Sequence, residues 1–279
     1  MTVKMMAVDM DGTFLDKESS YNHQEFFKIY QKLKKQNIHF VVASGNPLKQ
    51  LQNQFPDIKD ELTYIAENGG YIVDQGEELA LMSINQSDCQ IIIDALKKMD
   101  DVLCWVCTKN QSYTLTSLSK HYYEMFLPYF PGVKQIDDFS LINEPILKFA
   151  LYLPHQNVNE RIDDFVQLVS QNVHVVDSGH DCVDIISSHV HKGNALTILM
   201  EKYHLSPNEI MAFGDANNDL EMLKKFTYGY AMENAKEEFK KQFSYIAPAN
   251  NHQGVLKVID YYLENQQFFN LKKNNKKSH

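Results

Sequence analysis

The sequence predicts an α/β fold, a parallel sheet covered by helices on both faces and interrupted by an inserted α+β unit. Three observations carry this reading. Apolar strand-length runs alternate with amphipathic helical stretches over roughly the first 75 residues. The alternation stops near residue 84 and resumes at 192. Between those limits the strands are broken by polar residues and joined by hairpin-length turns.

"VKMMAV" (3–8) has the length and apolar content of a strand buried on both faces. "HQEFFKIYQKLKKQ" (23–36) places Phe26, Phe27, Ile29, Tyr30 and Leu33 at helical spacing. "IHFVVA" (38–43) is a second buried strand, after which Pro47 opens a helix to about Phe55, because a first-turn residue needs no intrahelical N–H bond. "TYIA" (63–66) is a third strand, and "ENGGYIV" carries an Asn-Gly turn into a hairpin. In the middle section "SDCQIIIDALKKM" and "NVNERIDDFVQLVSQ" read as helices, and "VLCWVCT", "SYTLTS", "ILKFALYL", "VHVVD" and "CVDIIS" as strands. The aromatic run "HYYEMFLPYF" (121–130) reads as a packing face of the insert, or as the lining of a ligand pocket. From 192 the order is helix "KGNALTILMEKY", strand "IMAFGD", helix "NDLEMLKK", strand "YGYAM", helix "AKEEFKKQ", strand "YIA" and helix "GVLKVIDYYLEN". These divide the chain into a discontinuous core, 1–83 and 188–270, an insert, 84–187, and a tail, 271–279, whose lack of periodicity predicts disorder.

Composition narrows the function. A net charge of −9 over 279 residues argues against a nucleic-acid footprint. No apolar run approaches the roughly 20 residues that span a bilayer, and the N-terminus lacks a signal peptide's apolar region and cleavage site, so the expected location is the cytoplasm. Four cysteines in a chain of this size make no disulfide framework, and Cys104 and Cys107 of "CWVC" lie in a β-forming run with no turn, as strand residues. Nothing points to an obligate protein partner. Only one of the 27 basic residues is arginine, Arg161, so an anion held elsewhere must be held by lysine, backbone N–H groups or uncharged side chains.

Open α/β sheets bind ligands at the carboxyl ends of their strands, and three such ends, with the start of one helix, carry unusual residues. Asp9 and Asp11 follow the first strand, Ser44-Gly45-Asn46 the second, and Asp215, Asn218 and Asp219 follow "MAFG"; Lys192 opens the helix on re-entry to the core. Aspartate at the end of an apolar strand is unfavourable unless paired, and crowding Asp11 beside it makes sense if a cation sits among the acids. The set suits phosphoryl transfer through an aspartyl phosphate. A carboxylate attacking a phosphate dianion needs cations between the two, and Mg²⁺ takes one or two carboxylates and a phosphate oxygen. Asp9 and Asp215 would supply the carboxylates and Lys192 a point charge. Ser44 and the Gly45 N–H stand at a helix N-terminus, where phosphate is favoured. Taken singly, Asp11-Gly12 is an ordinary turn, Ser44-Gly45-Asn46 an ordinary capping turn, and Asp219 an ordinary first-turn acid. His189 and His191 read as surface or hinge residues.

"DMDGTFL", "VVASGN", "HKG" and "GDANND" together resemble the four ordered motifs of the haloacid dehalogenase superfamily, and within it the Cof-type phosphatases of subclass IIB. The resemblance extends to about residue 265. It implies a Rossmann-like three-layer core with an inserted α/β cap that sets specificity. It makes Asp9 the nucleophile and a metal ligand, and Asp11 the general acid/base whose backbone carbonyl also binds metal. Ser44, Gly45 and Asn218 would hold phosphate, Lys192 would stabilise the phosphoryl group, Asp215 would ligate Mg²⁺ and Asp219 support the metal shell. Many members carry arginine where this chain has Asn46, so an arginine clamp on the substrate is excluded there. The implied activity is a Mg²⁺-dependent phosphatase of small phosphorylated metabolites, sugar phosphates first. A phosphomutase would use the same intermediate. A receiver-type phosphoacceptor shares the carboxylates, hydroxyl and lysine but has no role for a hundred-residue insert, and an ion-pumping ATPase would need membrane spans.

Overall fold

The computed structural model describes residues 2–99, 101–154, 166–167, 169–179 and 181–274. In chain order its strands are β1 (Met5–Val8), β2 (His39–Ala43), β3 (Thr63–Ala66), β4 (Tyr71–Asp74), β5 (Glu77–Leu81), β6 (Leu103–Thr108), β7 (Ser112–Leu115), β8 (Lys134–Ile136), β9 (Ile146–Tyr152), β10 (Val173–Gly179), β11 (Cys182–Ser187), β12 (Ile210–Gly214), β13 (Tyr228–Met232) and β14 (Tyr245–Ala247). They form two sheets. Eight strands run β14-β13-β12-β1-β2-β3-β4-β5, and six run β10-β11-β9-β6-β7-β8. In the first sheet β14 to β3 are parallel, while β4 and β5 turn back as an antiparallel hairpin edge.

Strand alternation explains the layers. Met6 and Val8 of β1 face one apolar cluster, Met5 and Ala7 the other. Helices His23–Lys35 and Gly254–Asn265 cover the first face with Phe26, Ile29, Leu33, Val255, Val258 and Tyr262. Lys192–Lys202 and Leu220–Lys225 cover the second with Leu196, Leu199, Met222 and Leu223. The first helix starts where its spacing predicts, since the Asn22 side chain accepts the Glu25 N–H at 3.1 Å. Phe27 shares the apolar spacing yet is exposed on the outer flank. Pro47 acts as the N-cap of Leu48–Gln54 rather than its first residue.

The six-stranded sheet lies within the inserted stretch and carries its own core. Val106, Phe149 and Val183 pack under helix Gln86–Leu96. On the opposite face Trp105 lies between Phe126 and Phe130, with centroids 4.3 and 5.6 Å away. Part of the aromatic run is therefore core, but Tyr129 is exposed. Cys104 and Cys107 sit on opposite faces of β6, and burial pushes both thiols up, which suits neither redox pairing nor metal binding. Strand β8 has no counterpart in the sequence reading. The helix expected over 157–171 falls largely outside the described residues. The tail departs from expectation at its start: Leu271–Asn274 is a helical turn, with Leu271 against the second cluster and Lys272 Nζ donating to the Phe243 carbonyl at 2.9 Å. Four residues are too few to show the periodicity on which the expectation of disorder rested.

Candidate active site

β1 pairs with β12 on one side and β2 on the other, with Val8 level with both Phe213 and Val42. The residues that follow these strands therefore meet at one rim. They are Asp9, Ser44 and Asp215.

After Asp9 the chain turns sharply through Asp11 and Gly12, closed by Phe14 N–H to the Asp9 carbonyl at 3.1 Å and Leu15 N–H to the Met10 carbonyl at 2.9 Å. Gly12 has φ +78°, and a Cβ there would strike the Asp215 carboxylate, so only glycine lets the turn pass. Thr13 donates to Asp215 Oδ1 at 3.1 Å. From the other side, helix Lys192–Lys202 starts with His191 Nδ1 accepting the Asn194 N–H at 3.2 Å, which gives that histidine a capping role. Lys192 is wholly buried, its Nζ 2.6 Å from Asp9 Oδ1 and 2.7 Å from Asp219 Oδ1. Asp219 Oδ2 accepts the Asp215 and Ala216 N–H groups at 2.9 and 3.2 Å.

Asp9, Asp215 and Asp219 bring one carboxylate oxygen each within 4.8 Å of one another. Burial, then the neighbouring Asp219, raises Asp9 well above the usual carboxylate range although Lys192 pulls it down. The same two causes push Asp215 up to about 7. Burial alone would lower the Lys192 ammonium, but Asp219 and Asp9 more than offset it and hold it charged. Three carboxylates thus face one ammonium. Asp74, a buried acid at the opposite end of the sheet, shows what internal satisfaction looks like. Burial pushes it up, yet donors from Lys202, Thr63 and Tyr203 bring it below its ordinary value. Asp9 and Asp215 lack that complement of donors, and hard oxygen ligands short of positive charge fit a divalent cation such as Mg²⁺. Both Asp219 oxygens are engaged by Lys192 and backbone N–H groups, which suits it to support the site from behind. Asp9 and Asp215 each keep a second oxygen.

Asp11 is exposed and outside the carboxylate cluster, its Oδ2 accepting from Asn46 Nδ2 at 2.6 Å. If Asp11 reaches a metal, it does so through its backbone carbonyl. In the Ser44-Gly45-Asn46 loop the Asn46 N–H donates to Ser44 Oγ at 3.1 Å. Asn218 Nδ2 donates to Asn68 Oδ1 at 3.3 Å. His189 is exposed and stands apart from these contacts.

Sequence reasoning missed Thr13, Glu67, Asn68, Lys148 and Asp184. "ENGG" does lead into a hairpin, but its turn is buried, with Glu67 and Asn68 at φ +51° and +57° against the insert. Lys148 and Asp184 carried a readable signal, opposite charges within the apolar strands "ILKFALYL" and "CVDIIS". What the sequence withholds is that β9 and β11 are neighbours, with Lys148 opposite Ile186 and thus diagonal to Asp184.

The sequence profile of haloacid dehalogenase-like hydrolases matches residues 6–259. Over 272 residues the chain is 34% identical to the 5-amino-6-(5-phospho-D-ribitylamino)uracil phosphatase YbjI of Escherichia coli, covering 96% of this chain and 99% of that one. The crystal structure of SMU.1108c from Streptococcus mutans superposes with a TM-score of 0.89 at 35% identity, over 94% of this chain and 100% of that one. The subclass IIB sugar phosphatase BT4131 superposes with a TM-score of 0.81 over 93% of this chain and 99% of its own; at 18% identity this shows a shared fold.

Proposed function

Since the chain belongs to the haloacid dehalogenase-like hydrolase family, we propose that it is a Mg²⁺-dependent phosphatase of small phosphorylated metabolites, working through an aspartyl phosphate on Asp9. The observation that carries this is the meeting of Asp9, Lys192, Asp215 and Asp219 at one strand-end rim, with exposed Asp11 two residues from Asp9. Mg²⁺ held by Asp9, Asp215 and the Asp11 carbonyl would neutralise charge between carboxylate and phosphate. Asp9 attacks phosphorus, and the bond from phosphorus to the ester oxygen breaks. Asp11 gives its proton to the leaving alkoxide, then takes one from the water that opens the acyl phosphate, so ester and water become alcohol and phosphate. Lys192, already on Asp9, steadies the transferring group, and Ser44, the Gly45 N–H and Asn218 hold its oxygens.

A primary phosphate on a sugar or sugar-alcohol chain is the substrate class that we favour. It joins the phosphoribityl group in the name of the E. coli relative to the sugar phosphatase fold of subclass IIB. "FVVASGN" and "GDANNDLEML" also resemble the bacterial sugar phosphatase SupH. The residues between the two core segments, 84–187, would act as the specificity cap. Purified protein with Mg²⁺ is to be tested against sugar phosphates, a phosphoribityl-aminopyrimidine, nucleotides and pyridoxal phosphate. Release of phosphate from the sugar or ribityl esters is expected, and hydrolysis of none of them would overturn the reading.

A further inference from the structure

The loop Ser44-Gly45-Asn46 presents three successive carbonyls, and each is held by a donor. The Asn68 N–H holds that of Ser44 at 3.0 Å and the Glu67 N–H that of Asn46 at 3.1 Å. The middle one, of Gly45, is held by Lys148 Nζ at 2.5 Å. Lys148 comes from β9, in the inserted sheet. A trans peptide points its C=O and N–H in opposite directions, so fixing the Gly45 carbonyl on Lys148 fixes the Asn46 N–H toward Ser44 Oγ. Ser44, accepting there, keeps its hydroxyl proton for another acceptor. Gly45 has no Cβ to resist rotation of this peptide, and a flipped peptide would turn its carbonyl oxygen toward Ser44 Oγ, removing the N–H that Ser44 accepts and turning the Ser44 hydroxyl proton back onto the loop.

The same lysine reaches the other side of the rim. Lys148 Nζ lies 3.0 Å from Glu67 and 3.4 Å from Asp184, all three side chains buried. Asp184 Oδ2 accepts from Asn68 Nδ2 at 2.8 Å, and Asn68 Oδ1 accepts from Asn218. Two groups proposed to hold phosphate, the 44–46 loop and Asn218, are thus tied to one ammonium on the insert.

We propose that Lys148 is a positioning residue of the phosphate subsite, so that the insert orients the anion-binding loop as well as covering it. This rests on the phosphatase reading for what the subsite holds. Lys148→Met leaves Glu67 and Asp184 buried without a cation, so it is paired with the uncharged triple variant Lys148→Met/Glu67→Gln/Asp184→Asn, because removing a whole buried ionic group is often neutral for folding. Inorganic phosphate is titrated calorimetrically into each protein with Mg²⁺ present, and hydrolysis of p-nitrophenyl phosphate is measured beside it.

Whichever variant folds should bind phosphate about 10- to 100-fold more weakly. Its kcat/KM should fall by a similar factor on sugar and aryl esters alike, and Lys148→Arg should recover part of the loss. Wild-type phosphate affinity in a folded variant overturns the proposal, as does a loss confined to sugar esters, which would make Lys148 a contact for the leaving group. A wild-type protein that binds no phosphate also overturns it. A wild type that binds phosphate but hydrolyses nothing, with affinity lost in the variant, removes the phosphatase reading and leaves the positioning role standing.

Discussion

Asp215→Asn separates the electrostatic account of the site from an ordinary buried acid. Without a divalent cation, burial and Asp219 hold Asp215 at about 7, against an ordinary value of 3.8. The folded protein therefore binds this proton more tightly than the unfolded chain. That stabilisation is fully present below the unfolded value and is lost as pH rises through about 7. Between pH 4.5 and 8 the shift corresponds to roughly 3 kcal/mol. Asparagine has no proton to lose there. In EDTA, urea unfolding at a series of pH values should show the wild type losing about 3 kcal/mol relative to Asp215→Asn across that interval. Saturating Mg²⁺ at pH 8 should restore the wild type, by about 2.7 kcal/mol at a hundred times the dissociation constant. The variant should gain far less. Parallel pH curves in EDTA for the two proteins would refute the claim that this carboxylate stands short of positive charge.

Other perturbations test the proposed chemistry. Asp9→Asn should abolish turnover, since an amide does not attack phosphorus, while circular dichroism stays native; residual phosphatase activity would remove Asp9 as nucleophile. Asp11→Asn should slow turnover about 10²–10⁴-fold. With an aryl phosphate, whose leaving group needs little protonation, it should accumulate one hydroxylamine-labile phosphoryl group by intact mass, and absence of that species with any donor would contradict the division of labour. Gly12→Ala should lower stability by about 1–3 kcal/mol through its positive φ and displace Asp215. Calorimetry should show Mg²⁺ affinity falling with it, and unchanged affinity would mean that the turn does not set the Asp215 position.

The core was legible because its signals are local. An apolar run such as "IHFVVA" between two helical stretches has few alternatives to a central parallel strand, and β2 formed at His39–Ala43. The acids at the strand ends were legible because an unpaired carboxylate there conflicts with burial. What stayed hidden depends on neighbours far away in the chain. Lys148 looks like a lysine on a half-exposed strand until β9 is placed against β11 and the Gly45 loop. Asn68 looks like a solvent turn until the insert closes over it. His191 became a helix cap only once its Nδ1 was seen on Asn194, and Lys272 anchored the tail through a single carbonyl.

Direction along the sheet is the element that local patterns lack. "YIVD", ending at Asp74, and "MMAVD", ending at Asp9, are near-identical signals: an apolar run that stops at an aspartate. Both acids are buried. β4, however, runs antiparallel to β3, pairing Asp74 with Thr63 at the start of that strand, so Asp74 lies at the amino-terminal rim of the parallel strands. There Thr63, Lys202 and Tyr203 supply its donors from the protein itself. Asp9 leaves the opposite rim, where the neighbouring strand ends bring further carboxylates and where, among the described residues, Lys192 is the cation in contact with them. The same dipeptide pattern thus closes a structural network at one end of the sheet and leaves a charge deficit at the other, and that deficit is what a cation and a phosphate dianion would together occupy.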